Sequence, residues 1–300
     1  MTQPPTVEIL VSIYETLRIR YDEANSILTV KDDYCTMSYT IKQIIAALPS
    51  SSQPLEHTVD QLLYGDENRE VRKVAVVFAA NQEVLQQAAA LDIELIITHE
   101  GLYYSHHQSH PAVDSSEIFW KREQFIKQHQ LAIYRYHDHC HRHTPDLLTY
   151  GLIKQLNWDT SIIAEEAEAT IVELPLVTLE MLIDHLKQRL NLPYLRYAGS
   201  KDMHCAKIAV LVGFRGNGAT VLPLIAKHKL DAVIIGEGME WEVPEFVRDA
   251  ALLGSPCALI TLGHAESEQP GMQHIAQLLQ AACPELEVHH LTANPIYMIG

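Results

Sequence analysis

The pattern of apolar and polar positions along the chain predicts buried strands separated by helices. Three segments of the first half are apolar with little alternation and have polar ends, which is typical of strands covered on both faces. Between them lie two segments rich in strong helix formers, residues 82–92 and 116–129. The first half of the chain therefore has the order β-α-β-α-β, with strands predicted at residues 71–79, 93–101 and 131–141.

The second half repeats this order of elements. Residues 231–238, DAVIIGEG, align without a gap with residues 94–101, ELIITHEG. This match predicts an α/β protein with an internal duplication, built from two similar α/β halves. Because parallel strands need long crossover connections, we expect mostly parallel sheets flanked by helices. The repeated strands are predicted at 206–214, 231–238 and 257–268, and the repeated helices at 218–230 and 242–254.

The two halves are expected to meet within residues 160–175, which divides the chain into 1–165 and 166–300. After this junction the sequence predicts an amphipathic helix with Thr178 as its N-cap, since a threonine hydroxyl can accept a backbone hydrogen bond there. The first half also carries an N-terminal helical extension, with a helix predicted over residues 6–21.

Composition narrows the class of protein. The chain has 300 residues, of which 47% are hydrophobic, and a formal net charge of −16. It lacks the basic stripe of nucleic-acid-binding proteins, so no nucleic-acid partner is expected. It has no run of eighteen apolar residues and no signal-peptide pattern, so we expect no membrane span. Its five cysteines form no C-x-x-C pair, which indicates reduced thiols and a cytoplasmic location.

Histidines lie where several of the predicted strands end. The chain has 17 histidines. His99 and Glu100 end the second strand, His137 ends the third, and His264 ends the last strand of the second half. Imidazole is the commonest metal ligand among protein side chains. Histidines at these positions therefore favour metal binding over a solvated, histidine-rich surface.

The register of the repeat arranges the candidate ligands in pairs. It places His137 opposite His264 and His141 opposite Glu268, so each half has two candidates four positions apart. In a helix or tight turn, such side chains share a face and can bind one ion. Two carboxylates among four imidazoles favour two divalent ions (Zn, Fe, Mn or Ni) over one tetrahedral zinc. The alternative is a set of histidines that cap a polar rim. The six candidates are His99, Glu100, His137, His141, His264 and Glu268.

Four segments resemble, in order, the signature blocks of the Nif-three-like family, whose members are also called GTP cyclohydrolase I type two homologs. They are ELIITHEGLYY, YRYHDHCHRHTPDLLTYGLIKQLNW, DAVIIGEG and TLGHAESEQPGM, and the resemblance begins near Val59. It implies two α/β halves with a dinuclear metal site in the cleft between them, assembled as a toroidal homo-hexamer. It also implies that His99, His264 and Glu268 are ligands, and that His137 matches the first histidine of the family's His-x-x-x-Asp block.

The chain departs from the family pattern at two positions. The family usually has His-His where this chain has His99-Glu100, and Asp where it has His141. Relative to the family, this chain gains a carboxylate at Glu100 and lacks one at His141, so the charge of the ligand set is unchanged. Asp138 is the alternative ligand to His141. We therefore expect a retained dinuclear site in a divergent subgroup.

Two functions remain open. Two metal ions could activate water for hydrolysis, and the resemblance implies a small-molecule substrate such as the nucleotide GTP. The alternative is a non-catalytic metal-binding scaffold or protein-interaction toroid. No further cofactor is predicted, since the glycine-rich segment 213–218 does not match a dinucleotide loop. The catalytic residues stay unassigned. Candidates for a general acid are Glu237, Glu266, Asp138, His139 and His143, and candidates for binding phosphate are Arg135, Arg142 and Arg215.

Overall fold

The chain divides into two compact units, Met1–Met37 and Ser38–Gly300. The structure is a computed structural model that describes residues 19–22, 27–30, 38–51, 55–106 and 116–298.

An antiparallel pair of strands is the described part of the first unit. Strand β1 (Ile19–Asp22) pairs with β2 (Ile27–Val30). The helix predicted over residues 6–21 is therefore wrong at residues 19–21, where the backbone pairs as a strand. The rest of that predicted helix lies outside the described residues.

Helices and strands alternate through most of the second unit. Its strands are β3 (Tyr39–Thr40), β4 (Gln61–Tyr64), β5 (Glu70–Val71), β6 (Lys73–Val77), β7 (Leu95–Thr98), β8 (Ala132–Arg135), β9 (Ile162–Glu165), β10 (Thr170–Thr178), β11 (Arg196–Ala198), β12 (His204–Leu211), β13 (Ala232–Ile235), β14 (Ala258–Thr261) and β15 (Glu287–Leu291). Its α-helices are α1 (Ile41–Ala47), α2 (Gln82–Ala90), α3 (Glu117–Gln128), α4 (Asp138–His141), α5 (Leu147–Gln155), α6 (Leu179–Leu190), α7 (Gly218–His228), α8 (Val243–Leu252) and α9 (His264–Ala282).

The first large sheet has the strand order β15-β6-β7-β8-β4. The three strands predicted for the first half, β6, β7 and β8, are parallel neighbours within it. Strand β15 also runs parallel to β6, whereas the edge strand β4 is antiparallel to β8. The last strand of the segment 166–300 therefore lies in the sheet of the first half.

The second large sheet is mixed, with the strand order β11-β14-β13-β12-β10-β9. Its predicted strands β12, β13 and β14 are parallel, but β9, β10 and β11 add antiparallel pairs at both sides. The prediction of a mostly parallel sheet is therefore wrong for this half. Strands β9 and β10 form a hairpin in the region expected to be the junction, and antiparallel strands need only such short connections.

Both faces of each sheet are buried, which explains why the predicted strands show little alternation. Val74 and Val76 of β6 face a central core, whereas Ala75 and Val77 face an outer core. Helices α2 and α3 cover the outer face of the first sheet, and α7 and α8 cover that of the second. The central core joins the inner faces of both sheets to α5, α6 and α9. The fold is therefore α/β, with helices on each side of the sheets.

Helices α5 and α9 cross in close contact at two glycines. A Cβ atom on Gly151 would collide with the backbone of Gly271, and one on Gly271 would collide with the backbone of Leu148. These glycines let the two helices approach at backbone distance. The contact fixes the N-terminal half of α9, which carries His264 and Glu268, against the helix that follows the histidine-rich segment.

The structure bears on two predictions made from composition, which are the state of the cysteines and the absence of a membrane span. Cys140, Cys205, Cys257 and Cys283 are free and buried, in agreement with the prediction of reduced thiols for the described cysteines. Within the described ranges, no helix combines the length and the apolar character that crossing a membrane requires.

Candidate metal centre

Chain segments that leave strands of both sheets deliver the candidate ligands to one place. Strand β7 ends at Thr98 and leads directly into His99 and Glu100. Strand β8 leads to His137, the residue before the short helix α4. Ligands of parallel sheets bind beyond the carboxyl ends of the strands, and these residues occupy that position.

The second sheet supplies His264 and Glu268 from the first two turns of α9. The two side chains are four positions apart on one helix face, and His264 Nε2 lies 3.4 Å from Glu268 Oε2. Gly213, which follows β12 with a φ of +60°, faces the same carboxylate. A Cβ atom at Gly213 would collide with Glu268 Oε1, so a glycine is needed where the backbone passes this close.

The carboxylate of Glu268 lies at the centre of the cluster. It is 1% exposed, and imidazole nitrogens approach both of its oxygens. His99 Nε2 lies 3.3 Å from Oε2, and His141 Nε2 lies 3.8 Å from Oε1. Together with His264, three imidazoles from three chain segments therefore surround this one carboxylate.

Each of the four candidate histidines has its Nδ1 atom within hydrogen-bond distance of an oxygen. A neutral imidazole that donates a hydrogen bond from Nδ1 keeps its lone pair on Nε2, and metal-binding histidines are commonly oriented in this way. The four pairs are His99 with the carbonyl of Tyr136 (3.2 Å), His137 with Asp138 (2.9 Å), His141 with Asp146 (2.9 Å) and His264 with Glu237 (2.9 Å). With Nδ1 held by these partners, the Nε2 atoms of His99, His141 and His264 point toward Glu268.

Two atoms at the centre of the cluster are buried and have no hydrogen-bond partner in the part of the chain that the structure describes. They are His99 Nε2 and Glu268 Oε2, which lie 3.3 Å apart without the alignment of a hydrogen bond. Unpaired polar atoms are costly when buried. A cation bound by both atoms would satisfy them, so the donor set here fits a metal ion.

A second group of possible ligands lies beside the first. His106 Nε2 is 2.7 Å from Glu100 Oε2, and His264 Nε2 is 3.3 Å from Glu100 Oε1. Among the described residues, three overlapping sets of side chains bring ligand atoms within 4.8 Å of one another. The sets are His99, His137 and His141; Glu100, His106 and His137; and His99, Glu100 and Glu268.

The carboxylates of the cluster are held ionised by the imidazoles around them. Burial opposes ionisation, yet neighbouring histidines hold the pKa values of Glu268 and Glu100 far below the usual range. Burial alone would lower the pKa of His264. Hydrogen bonds to Glu100 and Glu268 outweigh burial and raise that pKa to about 10. Burial and then the charge of His99 lower the pKa of His137 to about 4, so His137 is neutral at pH 7. The cluster therefore combines ionised carboxylates with a neutral imidazole.

The structure places His141, rather than Asp138, next to Glu268. Asp138 accepts hydrogen bonds from the backbone of Val59 (2.9 Å) and from His137 Nδ1. It therefore orients a candidate ligand and anchors the chain beside it. Of these two residues, it is His141 whose side chain lies beside Glu268, through its Nε2 atom.

Most of the residues proposed as general acids or as phosphate-binding groups have structural partners. His139 pairs with Asp60 at 2.7 Å, and His143 Nδ1 lies 2.9 Å from the carbonyl of Pro145. The guanidinium of Arg135 donates to two backbone carbonyls and holds the chain near the site. Glu237 remains beside the cluster, through its contact with His264.

His106 and Asp146 were absent from the predicted set. His106 belongs to a run of histidines after β7, which was visible in the sequence but has no counterpart in the second half of the repeat. Asp146 caps α5 through Oδ1, which accepts hydrogen bonds from two backbone amides, and uses Oδ2 to contact His141. Neither residue follows a strand directly, so the strand-end pattern gave no signal for them.

A cavity of about 400 Å³ opens onto the cluster. Arg142 and Arg215 line it together with the candidate ligands. Arg215 Nη2 donates to Asp146 Oδ2 at 2.7 Å, whereas its Nη1 is buried without a hydrogen-bond partner among the described residues. The cavity therefore places a partly unpaired guanidinium beside the cluster.

Comparisons with a family profile, with related sequences and with solved structures all point to the same family. The sequence profile of the Duf34/NIF3 (NGG1p interacting factor 3) family matches residues 40–295. A protein named GTP cyclohydrolase 1 type 2 homolog from Clostridium perfringens is 23% identical over 224 residues, which covers 72% of this chain and 80% of that protein. A protein of the same name from Chlamydia pneumoniae is 23% identical over 237 residues, which covers 78% and 89%. The crystal structure of a Bacillus cereus protein related to NIF3 has a TM-score of 0.66 at 17% identity, covering 87% of this chain and 99% of that one.

Proposed function

This chain belongs to the Duf34/NIF3 family, and from that premise we propose that it binds two divalent metal ions and is a metal-dependent hydrolase of a nucleotide or related small molecule. The observation that carries the proposal is the convergence of three imidazole Nε2 atoms on the buried carboxylate of Glu268. The names of the Clostridium and Chlamydia relatives support a GTP-like substrate.

The internal duplication is part of the proposal. Each half has three parallel strands in the same order, with helices between them. In both halves, the third of these strands leads into a helix near two candidate ligands four positions apart, which are His137 and His141 in one half and His264 and Glu268 in the other. A duplication accounts for this correspondence and for a metal site in the cleft between the halves.

The ligand sets divide between two ions around a shared carboxylate. His99, His137 and His141 would hold one ion, and Glu100, His106 and His264 would hold the other. Glu268 would bridge them, because its carboxylate lies 3.3 Å from His99 Nε2 of the first set and 3.4 Å from His264 Nε2 of the second. A bridging carboxylate also offsets the repulsion between two cations. Zn, Fe, Mn and Ni all suit a set of imidazole and carboxylate ligands.

Around this centre, the chain's own residues can orient a substrate and hold protons. When bound, two divalent ions would polarise an electrophile and lower the pKa of water. Arg215 Nη1 can bind an anionic group of the substrate, such as a phosphate, because it has no described protein partner. Glu237, whose side chain is 52% exposed, can accept a proton at Oε1 while Oε2 orients His264.

Metal analysis combined with an activity screen tests the proposal. Protein purified without chelators should contain close to two divalent ions per chain. It should hydrolyse GTP or another member of a panel of nucleotides and phosphoesters, and Glu268→Ala should abolish that turnover. A single ion in excess metal would contradict the dinuclear centre. Two ions without turnover of any panel member would favour the metal-binding scaffold.

A further inference from the structure

A second cavity lies on the other side of Phe78 from the candidate metal centre. The ring of Phe78 stands 5.5 Å from that of His264, and it also lines this cavity of about 390 Å³. The remaining lining is mostly apolar and includes Val84, Leu102 and Leu192. The cavity is large enough for a small organic molecule, and its position separates it from the candidate ligands.

A buried arginine that has no counter-ion among the described residues lines this cavity. Arg122 is 4% exposed, and its Nε atom has no hydrogen-bond partner in the described ranges. Its Nη2 atom donates to the carbonyl of Ala80, and its guanidinium stacks near the rings of Tyr103 and Tyr104. Within the described part of the chain, no carboxylate forms an ion pair with Arg122. A buried, unpaired guanidinium is costly, and an anionic group in the cavity would compensate it.

A carboxylate lines the same cavity. Glu266 is in the first turn of α9, two positions before Glu268, and it forms no ion pair or hydrogen bond with any other described residue. It repels a second negative charge and can accept a hydrogen bond. The cavity therefore offers a cationic donor, an apolar lining and an anionic acceptor.

We propose that this cavity binds an organic monoanion with an apolar body, whose acid group pairs with Arg122 and whose other end donates a hydrogen bond to Glu266. Several acid groups satisfy the same requirement, since carboxylates, sulfonates and phosphate diesters are monoanions that all accept hydrogen bonds from a guanidinium. The site is independent of the proposed hydrolase activity, because it uses none of the candidate metal ligands.

Calorimetry with designed probes tests this site on the full-length chain. The first probe is 6-hydroxy-2-naphthoate, which has a carboxylate, two fused rings and a hydroxyl at the far end. The second is its neutral amide, 6-hydroxy-2-naphthamide. We expect one naphthoate per chain, bound roughly tenfold or more tighter than the amide, because a hydrogen bond to a charged group contributes that much. Equal affinities of the two probes for the wild type would overturn the proposal.

Three variants locate the bound probe. Arg122→Gln should remove the preference for the acid over the amide, and Ala293→Trp should block both probes by filling the cavity, which Ala293 lines. Glu266→Gln should leave the acid bound at least as tightly. If Arg122→Gln does not fold, two measurements still decide the question. They are the ratio of the wild-type affinities for the acid and the amide, and the effect of Ala293→Trp on binding of both probes.

Chelator treatment separates this site from the metal centre, since a carboxylate can also bind to metal ions. Binding of 6-hydroxy-2-naphthoate should be the same before and after removal of metals. Loss of binding on chelation, or binding that survives Ala293→Trp unchanged, would place the probe elsewhere and overturn the assignment.

Discussion

At the scale of single residues, Glu268 is the group on which the proposed centre depends. It is almost fully buried, and the imidazoles that face it come from both sheets. A carboxylate shared by two cations holds them together against their repulsion, and that effect is strong in a partly desolvated site. Removing it should therefore affect both ions rather than one.

We predict that Glu268→Ala releases both metal ions, as measured by elemental analysis after gel filtration. Glu268→Gln keeps the shape but loses the charge, so it should retain at most one ion. Glu266→Ala is the matched control, because Glu266 lies two positions away on the same helix but lines the other cavity. Retention of two ions by Glu268→Ala, with their loss from Glu266→Ala, would show that the assigned ligand is the wrong acid.

Residue by residue, the site was predictable as far as the strand-end pattern extends. His99, Glu100, His137 and His264 follow strands, and the repeat brought in the residues four positions after the last two. Two of the partners that orient these imidazoles, Asp146 and the carbonyl of Tyr136, were not predictable, because tertiary packing brings them to the histidines. Asp146 begins a helix five positions after His141, and the carbonyl of Tyr136 carries no side-chain signature at all.

At the scale of elements, helix α5 is tied to the centre through its N-cap. Asp146 Oδ1 accepts the backbone amides of Leu148 and Thr149, whereas Oδ2 contacts His141 Nδ1 and Arg215. One carboxylate thus starts a helix and sets which nitrogen of His141 faces Glu268. The orientation of a ligand therefore depends on where an element begins.

We predict that Asp146→Asn weakens metal binding by roughly 10–100-fold, the usual effect of losing a group that orients a ligand. Asparagine caps a helix as well as aspartate, so α5 should keep its start and the far-ultraviolet circular dichroism should not change. The measurement is competition with a zinc chelator, and Asp202→Asn, an exposed acid on the surface, is the control. Unchanged zinc affinity in Asp146→Asn would contradict the role assigned to it.

Strand β15 carries a histidine that should make the fold sensitive to acid. Burial lowers the pKa of His290 to about 4 from an ordinary value of 6.5, and its buried Nε2 atom has no hydrogen-bond partner among the residues described. The folded state therefore binds fewer protons at this residue than the unfolded state does between these two pH values. The stability gained from keeping His290 neutral is complete above pH 6.5 and is lost as the pH falls toward 4.

We predict that His290→Gln reduces this acid sensitivity. Between pH 7 and pH 4.5 the free energy of unfolding of the wild type should fall by about 1–3 kcal/mol more than that of the variant. Urea unfolding of chelator-treated protein at both pH values measures the difference. His289→Gln is the control, since neighbouring side chains of a strand point to opposite faces and His289 pairs with Glu287. An equal effect of both variants would show that the shift does not belong to His290.

The central elements were predictable, and the edges of the sheets were not. Strands β6, β7, β8, β12, β13 and β14 are buried on both faces, so their composition marks them as strands. Strand β10 is buried only over its first three residues and contains Pro175, and β11 has three residues, so neither has the pattern of a continuous buried strand. The pairing of β15 with β6 joins residues more than two hundred positions apart, which a local pattern cannot encode.

At the scale of the whole molecule, the second unit exposes large apolar side chains at the C-terminal end of α8 and before its start. Leu252 and Leu253 are 81% and 83% exposed, and Trp241 is 73% exposed. Adjacent exposed apolar residues such as Leu252 and Leu253 are typical of protein interfaces. They are consistent with the association that the family resemblance implies.

We therefore predict a homo-hexamer, with a mass by light scattering of six times the 33.8 kDa of one chain at micromolar concentration. If the end of α8 lies in a subunit contact, replacing Leu252 and Leu253 together by glutamate should lower this mass, because buried like charges oppose association. The same double variant should fold normally, since both side chains are exposed in the single chain. A wild-type mass of one chain would contradict the hexamer, whereas a hexamer that tolerates both glutamates would place the contacts on another surface.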